Sequence, residues 1–290
     1  GIGLSGYTID WPGLDNLFCQ IGITDGSLRG ASLNQKTFRA EGQNPVSWNL
    51  PEGCISVTAY PMKDEVMLPG PEVSLQPYIQ GKALEWTPPA GQWQVVAVFK
   101  NSPERSLDPM DPASGQKVID RFFQPFADHC PGDTGKALNY FFHDELEFGV
   151  KGWLWSERFA AEFEKRKGYD IVPLLPALFF DVGPRTPKIR LDYSDVMVSL
   201  TEESFFRPIF EWHWKRGIMY ACDPASRGGY PIEFGDYFRC VRWYAAPGHD
   251  TPGGKADLHK DKVSSSIAHL YQRPRVWLEG YHSLGWGATP

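Results

Sequence analysis

Three predicted strands in the second half of the chain run directly into acid. The apolar run 137–143 leads into Asp144-Glu145-Leu146-Glu147, the run 218–222 into Asp223, and the run 275–278 into Glu279. Carboxylates gathered at the C-terminal ends of parallel strands are how a β/α barrel builds an active site. Trp153, Trp155, Trp243, Trp277 and Trp286 stand near these acids in sequence, and indole faces suit the C–H face of a sugar better than a phosphate or a nucleotide. Glycoside hydrolysis needs two carboxyl groups across the scissile bond, one to protonate the leaving oxygen and one to activate water or attack carbon. The candidates are Asp144, Glu145, Glu147, Asp223, Glu233, Asp236, Asp250 and Glu279. A single acid at a strand end is more often a helix cap or a solvated charge; three strand ends together weigh toward a site.

Three further stretches carry chemistry-bearing side chains. Phe234-Gly235-Asp236-Tyr237-Phe238-Arg239 is followed by Arg242-Trp243-Tyr244. The stretch 246–254, Ala-Pro-Gly-His-Asp-Thr-Pro-Gly-Gly, is too rich in Pro and Gly for regular structure and reads as a functional loop on a rigid scaffold. Asp250 there is a candidate base, with His249 orienting it or binding sugar hydroxyls; the alternative is an Asx-type turn leading into a helix. Trp277-Leu278-Glu279-Gly280-Tyr281-His282 sets a Glu on a buried strand beside two ring donors. Carboxylates and loop carbonyls would also suit calcium, a hard cation. No EF-hand loop or H-E-x-x-H is present and the seven His are scattered, which argues against zinc. G-x-S-x-G does not occur, which disfavours a Ser-His-Asp hydrolase.

The elements that must hold these residues change character along the chain. The 290 residues suffice for one large or two modest domains, and a composition 42% hydrophobic and 22% charged is that of a globular protein with a sizeable core. A net charge of -6 without a basic stripe argues against nucleic acid, and no apolar run is long enough to insert across a membrane. The five cysteines are odd in number and lack C-x-x-C spacing, so they read as buried apolar residues. The chain begins Gly-Ile-Gly and ends Gly-Trp-Gly-Ala-Thr-Pro straight after a predicted strand. Both ends read as cut, and a piece of a longer protein is expected.

Residues 1–35 are Gly-rich and irregular. Residues 36–100 carry short β-branched or alternating runs at 46–50, 54–60, 73–79 and 93–99, punctuated by Pro and Gly, and predict an antiparallel β-module. After a polar connection at 101–116, helical patterns at 118–127, after Ser156, from about Asp192 to Gly217, and at 255–271 alternate with short buried strands. That alternation predicts a parallel sheet with helical crossovers. No Gly-rich phosphate loop follows a predicted strand. The expected fold class is α/β: a partial (β/α)8 TIM-type barrel with an N-terminal antiparallel β-module. Its divisions are a truncated start of the barrel region at 1–35, the β-module at 36–100 and a C-terminally truncated catalytic barrel at 101–290.

Motifs along almost the whole chain resemble one family. Trp86-Thr87-Pro88-Pro89-Ala90-Gly91-Gln92-Trp93 resembles the W-x-x-P-x-G-x-W stretch of glycoside hydrolase family 106, the α-L-rhamnosidases. Asp144-Glu145-Leu146-Glu147-Phe148 is similar to that family's D-S-x-E-V. Phe163-Glu164-Lys165-Arg166-Lys167-Gly168-Tyr169-Asp170 and Pro173-Leu174-Leu175-Pro176-Ala177-Leu178 resemble F-x-K-R-x-G-Y-D and P-Y-L-P-A-L. Ser264-Ser265-Ser266-Ile267-Ala268-His269-Leu270-Tyr271 with Glu279 resembles A-S-x-A-H-x-Y-G-K-P…E, and 3–12 resembles a Gly-rich N-terminal signature.

The resemblance implies a (β/α)8 catalytic domain in a larger enzyme that hydrolyses terminal α-L-rhamnosides with inversion, with calcium assistance in some members and no organic cofactor. It also implies a secreted or periplasmic setting and an oligosaccharide or glycoside as substrate. Glu147 matches the motif Glu taken as general acid, and Asp144 the motif Asp. Two departures stand out: Glu145 replaces the usual Ser, and the loop expected to read P-x-G-E reads Pro247-Gly248-His249-Asp250-Thr251. The base is then Asp250 or Glu279. Glu147 is expected to have its pKa raised by burial or by acids such as Asp144. Asp144, Trp155, Asp223, Arg239, Trp243, His249 and His282 are expected to contact the sugar. A retaining Glu147/Glu279 pair and a non-catalytic sugar-binding barrel are the rival readings.

Overall fold

The computed structural model describes residues 2–5, 16–68, 72–144, 146–223, 237–251 and 258–280. The chain is mixed α/β and divides into two compact units that interleave in sequence. One comprises Gly1–Gly30, Pro103–Lys151 and Val198–Pro290; the other comprises Ala31–Ser102 and Gly152–Met197. The β-rich stretch predicted over 36–100 falls in the second unit.

The second unit is built on an antiparallel sheet. Ala31–Glu41 pairs with Gln92–Asn101 over ten residues, from Ser32 opposite Asn101 to Glu41 opposite Gln92. Cys54–Lys63 pairs with the other edge of Gln92–Asn101, and Leu154–Trp155 extends the sheet beyond Ala31. Val95, Val96, Ala97 and Val98 are all fully buried, because both faces of their strand are covered. One face packs with Val57, Ala59, Leu75, Leu84 and Trp86. On the other face the neighbouring Thr58 donates its hydroxyl to the Pro173 carbonyl of the 3-10 segment Val172–Leu178, at 3.2 Å. The helix Phe159–Lys167 buries Phe159 and Phe163, carries three basic residues in its last turn and stops at Gly168 with φ +78°. Basic residues there oppose the negative end of the helix dipole, and glycine tolerates the left-handed stop.

Parallel strands organise the first unit. These are β1 (Ile2–Ser5), β2 (Leu138–Asp144), β3 (Met219–Asp223), β4 (Gly248–Thr251) and β5 (Trp277–Gly280). Pairing follows chain order: β1 with β2, β2 with β3, and β4 with β5. A single parallel bridge from Ala221 to Ala246 links β3 to the segment entering β4. Each parallel step demands a crossover, and helices supply it. Gly1, Gly3 and Gly6 have the G-x-G-x-x-G spacing, but Ile2–Ser5 is a strand paired to β2, not a phosphate loop.

Three sequence expectations need correction. Residues 16–35 are regular: Asn16 caps the helix Leu17–Thr24 by accepting the Cys19 N–H at 2.8 Å, and Ala31 begins the long strand. The helix expected from about Asp192 starts at Thr186 and runs through to Trp214. The stretch 246–254 is not all irregular, because β4 forms inside it. Gly248 permits this: a Cβ there would lie 2.2 Å from the Cys222 carbonyl oxygen and 2.6 Å from the Trp277 Cβ. Pro and Gly density read as loop, but the Gly is what lets β4 wedge between its neighbours.

Two long helices contain π turns, Ile119–Phe123 and Glu202–Phe206. Each is followed, two residues on, by a proline (Pro125 and Pro208). A proline cannot donate to the carbonyl four residues back and clashes with it, and a wider turn relieves both problems. The Ser204 carbonyl that Pro208 cannot satisfy lies close to Gly115, whose Cβ would meet it at 2.5 Å.

The outer layer of β2 and β3 encloses His213. Its ring stacks on Tyr220 at 4.3 Å and meets Phe123 at 4.4 Å and Phe141 at 5.4 Å edge-on. Nδ1 bonds to the Ile209 carbonyl at 2.8 Å, whereas Nε2 has no hydrogen-bond partner. Burial, with a smaller contribution from the nearby Arg216 charge, lowers its pKa to about 3. The folded pKa lies below the unfolded value near 6.5, so the unfolded chain binds the proton first on acidification. The stability this neutral ring supports is therefore present above pH ~6.5 and drains as pH falls toward 3, by up to ~1.4 kcal/mol per pH unit. His213→Phe is expected to flatten that slope, measured as urea midpoints between pH 7 and 4; equal slopes in both proteins would show that His213 does not titrate this way. Gly248→Ala is expected to cost about 2 kcal/mol or more. Gly132→Ala, where an added Cβ meets nothing within 4 Å, should stay within about 0.5 kcal/mol in the same melts.

Candidate active site

Side-chain alternation along β2 sorts the first unit into two layers. Phe141 is buried against Phe123 at 5.1 Å on the helical side. Tyr140 and Phe142 face Trp277, at ring distances of 5.5 and 4.6 Å, and Phe142 clusters with Ala221 and Ala246. The backbone continues this order to the strand ends. Asp144 stands opposite Asp223 in the β2–β3 register, and Asp250 opposite Glu279 in the β4–β5 register. Residues two apart share a strand parity, so positions 144, 223, 250 and 279 have the parity of Phe142, Ala221, Gly248 and Trp277. The fold thus brings four predicted acid positions to the C-terminal ends of parallel strands as two register pairs, in two sheets linked by the Ala221–Ala246 bridge. These four residues are described here by their backbone alone.

Glu147 follows β2 in a loop held at both sides. Leu146 and Phe148 are buried, and Phe148 stacks on Phe18 at 5.4 Å and meets Phe205 edge-on at 4.8 Å. The Leu107 N–H donates to the Phe148 carbonyl at 2.9 Å. Gly149 takes φ +75° where a Cβ would lie 2.3 Å from the Arg105 oxygen, so only glycine fits. Between these anchors the Glu147 side chain is 28% exposed and pairs with Lys151 at 3.2 Å.

His249 has the parity opposite to Asp250. It is buried, with Nδ1 2.8 Å from the Ser264 hydroxyl, itself buried in the helix Leu258–Leu270. This corrects the expectation that His249 binds sugar hydroxyls: alternation turns it to the helix, where it anchors β4. Trp155 belongs to the second unit, where it is buried and tilted on Phe159 at 5.4 Å. The platform expected for a sugar there is a core ring. His282, Glu145, Glu233, Asp236 and Trp286 lie outside the described residues.

Arg239 and Trp243, also expected to bind sugar, are engaged by a residue the sequence reading passed over. Glu202 opens the π turn Glu202–Phe206 and its side chain is 5% exposed. One of its oxygens accepts from Arg239, at 2.6 Å from Nη2 and 2.8 Å from Nε; the other forms an ion pair with Arg242, 2.6 Å from Nη2, and accepts from the Trp243 indole N–H at 2.8 Å. Arg239 also donates to the Ser199 hydroxyl at 2.7 Å. A buried carboxylate is tolerated only when fully paired, and this one is. The available signal was an acid amid the apolar residues of a helix, with Arg-x-x-Arg-Trp downstream to receive it.

A cavity of about 720 Å³ opens at the other, N-terminal, ends of these strands, lined by Tyr140, Trp214, Met219, Arg275 and Trp277 among others. Among the described residues no carboxylate lines it. Among the described residues no group of three side chains is placed to hold a metal ion, and no helix is long and apolar enough to cross a membrane.

Comparison with known proteins bears on which chemistry the strand ends serve. A protein of Formosa agariphila described as "Putative beta-glucuronidase" is 25% identical over 227 residues, covering 71% of this chain and 19% of that protein. The solved rhamnosidase from Novosphingobium sp. PP1Y superposes with a TM-score of 0.52 at 15% identity, over 84% of this chain and 33% of that one. The chain therefore spans about a fifth of the curated relative and a third of the solved structure, and the likeness to the latter is one of fold. The alpha-L-rhamnosidase family profile matches residues 75–289, a stretch that contains β2 to β5 and all four strand-end acids. The chain belongs to glycoside hydrolase family 106.

Proposed function

We propose that this chain forms the catalytic part of a glycoside hydrolase that cleaves terminal α-L-rhamnosyl or related deoxy- or uronic-sugar linkages with inversion. Five parallel strands in chain order are then part of a (β/α)8 barrel. The observation that carries the reading is the strand register, which aligns positions 144 with 223 and 250 with 279 at the C-terminal ends where such barrels place their chemistry. Family membership supports the rhamnosyl substrate, and the name of the Formosa relative supports a uronic sugar.

In this mechanism Glu147 protonates the leaving oxygen. Asp250 or Glu279 takes a proton from water as that water attacks the anomeric carbon from the opposite face. Inversion requires the two carboxyl groups about 6.5–9.5 Å apart, leaving room for the water. Asp144 and Asp223 bind sugar hydroxyls, which a carboxylate does well because it is an acceptor for several O–H donors. The 144 and 223 carboxylates are also hard oxygen donors of the kind calcium takes; bound there, it would orient hydroxyls, and no proton transfer above depends on it. The neighbouring pair in register at 250 and 279 favours one second reading, in which Glu279 is the nucleophile of a retaining enzyme.

Glu147→Gln is expected to lower kcat/KM about 100- to 10,000-fold on disaccharides, whose leaving groups need protonation, and far less on aryl glycosides with acidic leaving groups. Near-normal turnover of the disaccharide would remove Glu147 from the acid role. Proton NMR of the first-formed sugar should show the inverted anomer; the retained anomer would select the Glu147/Glu279 pair. Cleavage of no glycoside in a panel of rhamnosides and glucuronides would leave a sugar-binding barrel.

A further inference from the structure

The carboxylate of Glu202 sits far along the chain from every strand-end acid, yet the segment it grips is the one that delivers β4. Arg239 and Trp243 donate to it, and Arg242 forms an ion pair with it. Directly after Trp243 the chain turns onto β3: Tyr244 stacks on Tyr220 at 4.8 Å, and the Ala245 and Ala246 N–H groups both donate to the Tyr220 carbonyl, at 2.7 and 3.1 Å. Ala246 then bridges Ala221, and Gly248 begins the strand that ends in Asp250 and Thr251. The short helix Tyr237–Val241 has too few residues to fix its own orientation. Its placement depends on side-chain anchors, and buried Glu202 receives Arg239 from the helix and Arg242 and Trp243 from the residues directly after it.

We infer that Glu202 is a positioning residue for the strand-end carboxylate of β4. Through Arg242 and Trp243 it sets the point at which the chain meets Tyr220, and so the register in which β4 enters between β3 and β5. A strand has a side-chain period of two, so a slip of one residue would exchange Asp250 for His249 or Thr251 on the acid side. His249 bonded to Ser264 resists such a slip from the far end of the strand; Glu202 resists it from the near end. The charge matters as well as the shape. Both carboxylate oxygens are used, each by a guanidinium, so an amide of the same size would turn an NH2 group toward donors that need an acceptor.

This inference rests on the hydrolase reading for its kinetic consequence but not for its structural one, and the test separates the two. In the whole enzyme, Glu202→Gln is expected to lower kcat about 10- to 100-fold, the scale of loss from a misplaced catalytic group, with KM changed less than about twofold. Hydrogen exchange of the same protein should show the amides of Ala245, Ala246 and His249 exchanging at least tenfold faster, with the strand Gln92–Asn101 unchanged. Trp243→Phe, which removes one donor and keeps the packing, serves if Glu202→Gln fails to fold, and should give a smaller shift in the same amides. Unchanged exchange at 245–249 in a folded variant, or lost protection spread evenly over both units, would overturn the positioning role. If the wild-type enzyme cleaves no glycoside while the exchange change is still seen, the hydrolase reading fails and the positioning of β4 stands.

Discussion

The packing of Phe142, Ala221, Ala246 and Trp277 into one cluster is the constraint on which the candidate site depends. Large rings at β2 and β5 close over alanines at β3 and at the entry to β4, and the size alternation lets adjacent parallel strands approach. Gly248 carries that alternation to its limit, since its missing Cβ leaves room for the Cys222 carbonyl and the Trp277 side chain. Once these four residues are in register, the period of two leaves no choice about the next position outward on each strand. On β2, β3 and β5 it is Asp144, Asp223 and Glu279; on β4, counted from Gly248, which pairs with Trp277, it is Asp250.

Much of this was legible in the sequence because it follows from local pattern. The alternation of helical and apolar stretches, the acids after strands and the basic helix ends with their glycine stops all survive in the structure where it is described. What was not legible depends on tertiary placement. Pro247-Gly248 reads as a loop until the neighbouring backbone that excludes a Cβ is known. Trp155 and Trp243 read as sugar platforms because an indole suits both a core and a binding face, and nothing local distinguishes the two. The strand Ala31–Glu41 was missed because its centre, Asn34-Gln35-Lys36-Thr37, is polar and exposed; its pairing with the apolar strand Gln92–Asn101 holds it in place.

The aromatic and basic side chains near the acids thus divide into two kinds of work. His249 turns inward to Ser264, and Arg239 and Trp243 turn to Glu202. A buried ion pair adds little net stability against an apolar substitute of the same shape, because desolvation offsets most of the attraction. Removing one partner is costly, on the order of 3–5 kcal/mol, because a buried charge is left behind. Such a group therefore penalises wrong arrangements more than it rewards the right one. That property suits a segment whose exact entry point decides which side chain occupies a strand end.

The π turn explains how one helix face can serve this segment twice. Glu202 accepts from the Trp243 indole, and Phe210 meets the same ring edge-on at 5.9 Å. They are eight residues apart, whereas two turns of regular α-helix take about 7.2. In an unbroken helix Phe210 would be rotated away from Glu202 by most of a residue's step. A π turn absorbs about one extra residue, and Glu202–Phe206 does so between the two. Pro208, which cannot donate to Ser204, is the residue that makes the wider turn favourable. A proline two residues past the turn thereby brings a carboxylate and a phenyl ring onto one face, where both close on Trp243 just before the chain enters β4.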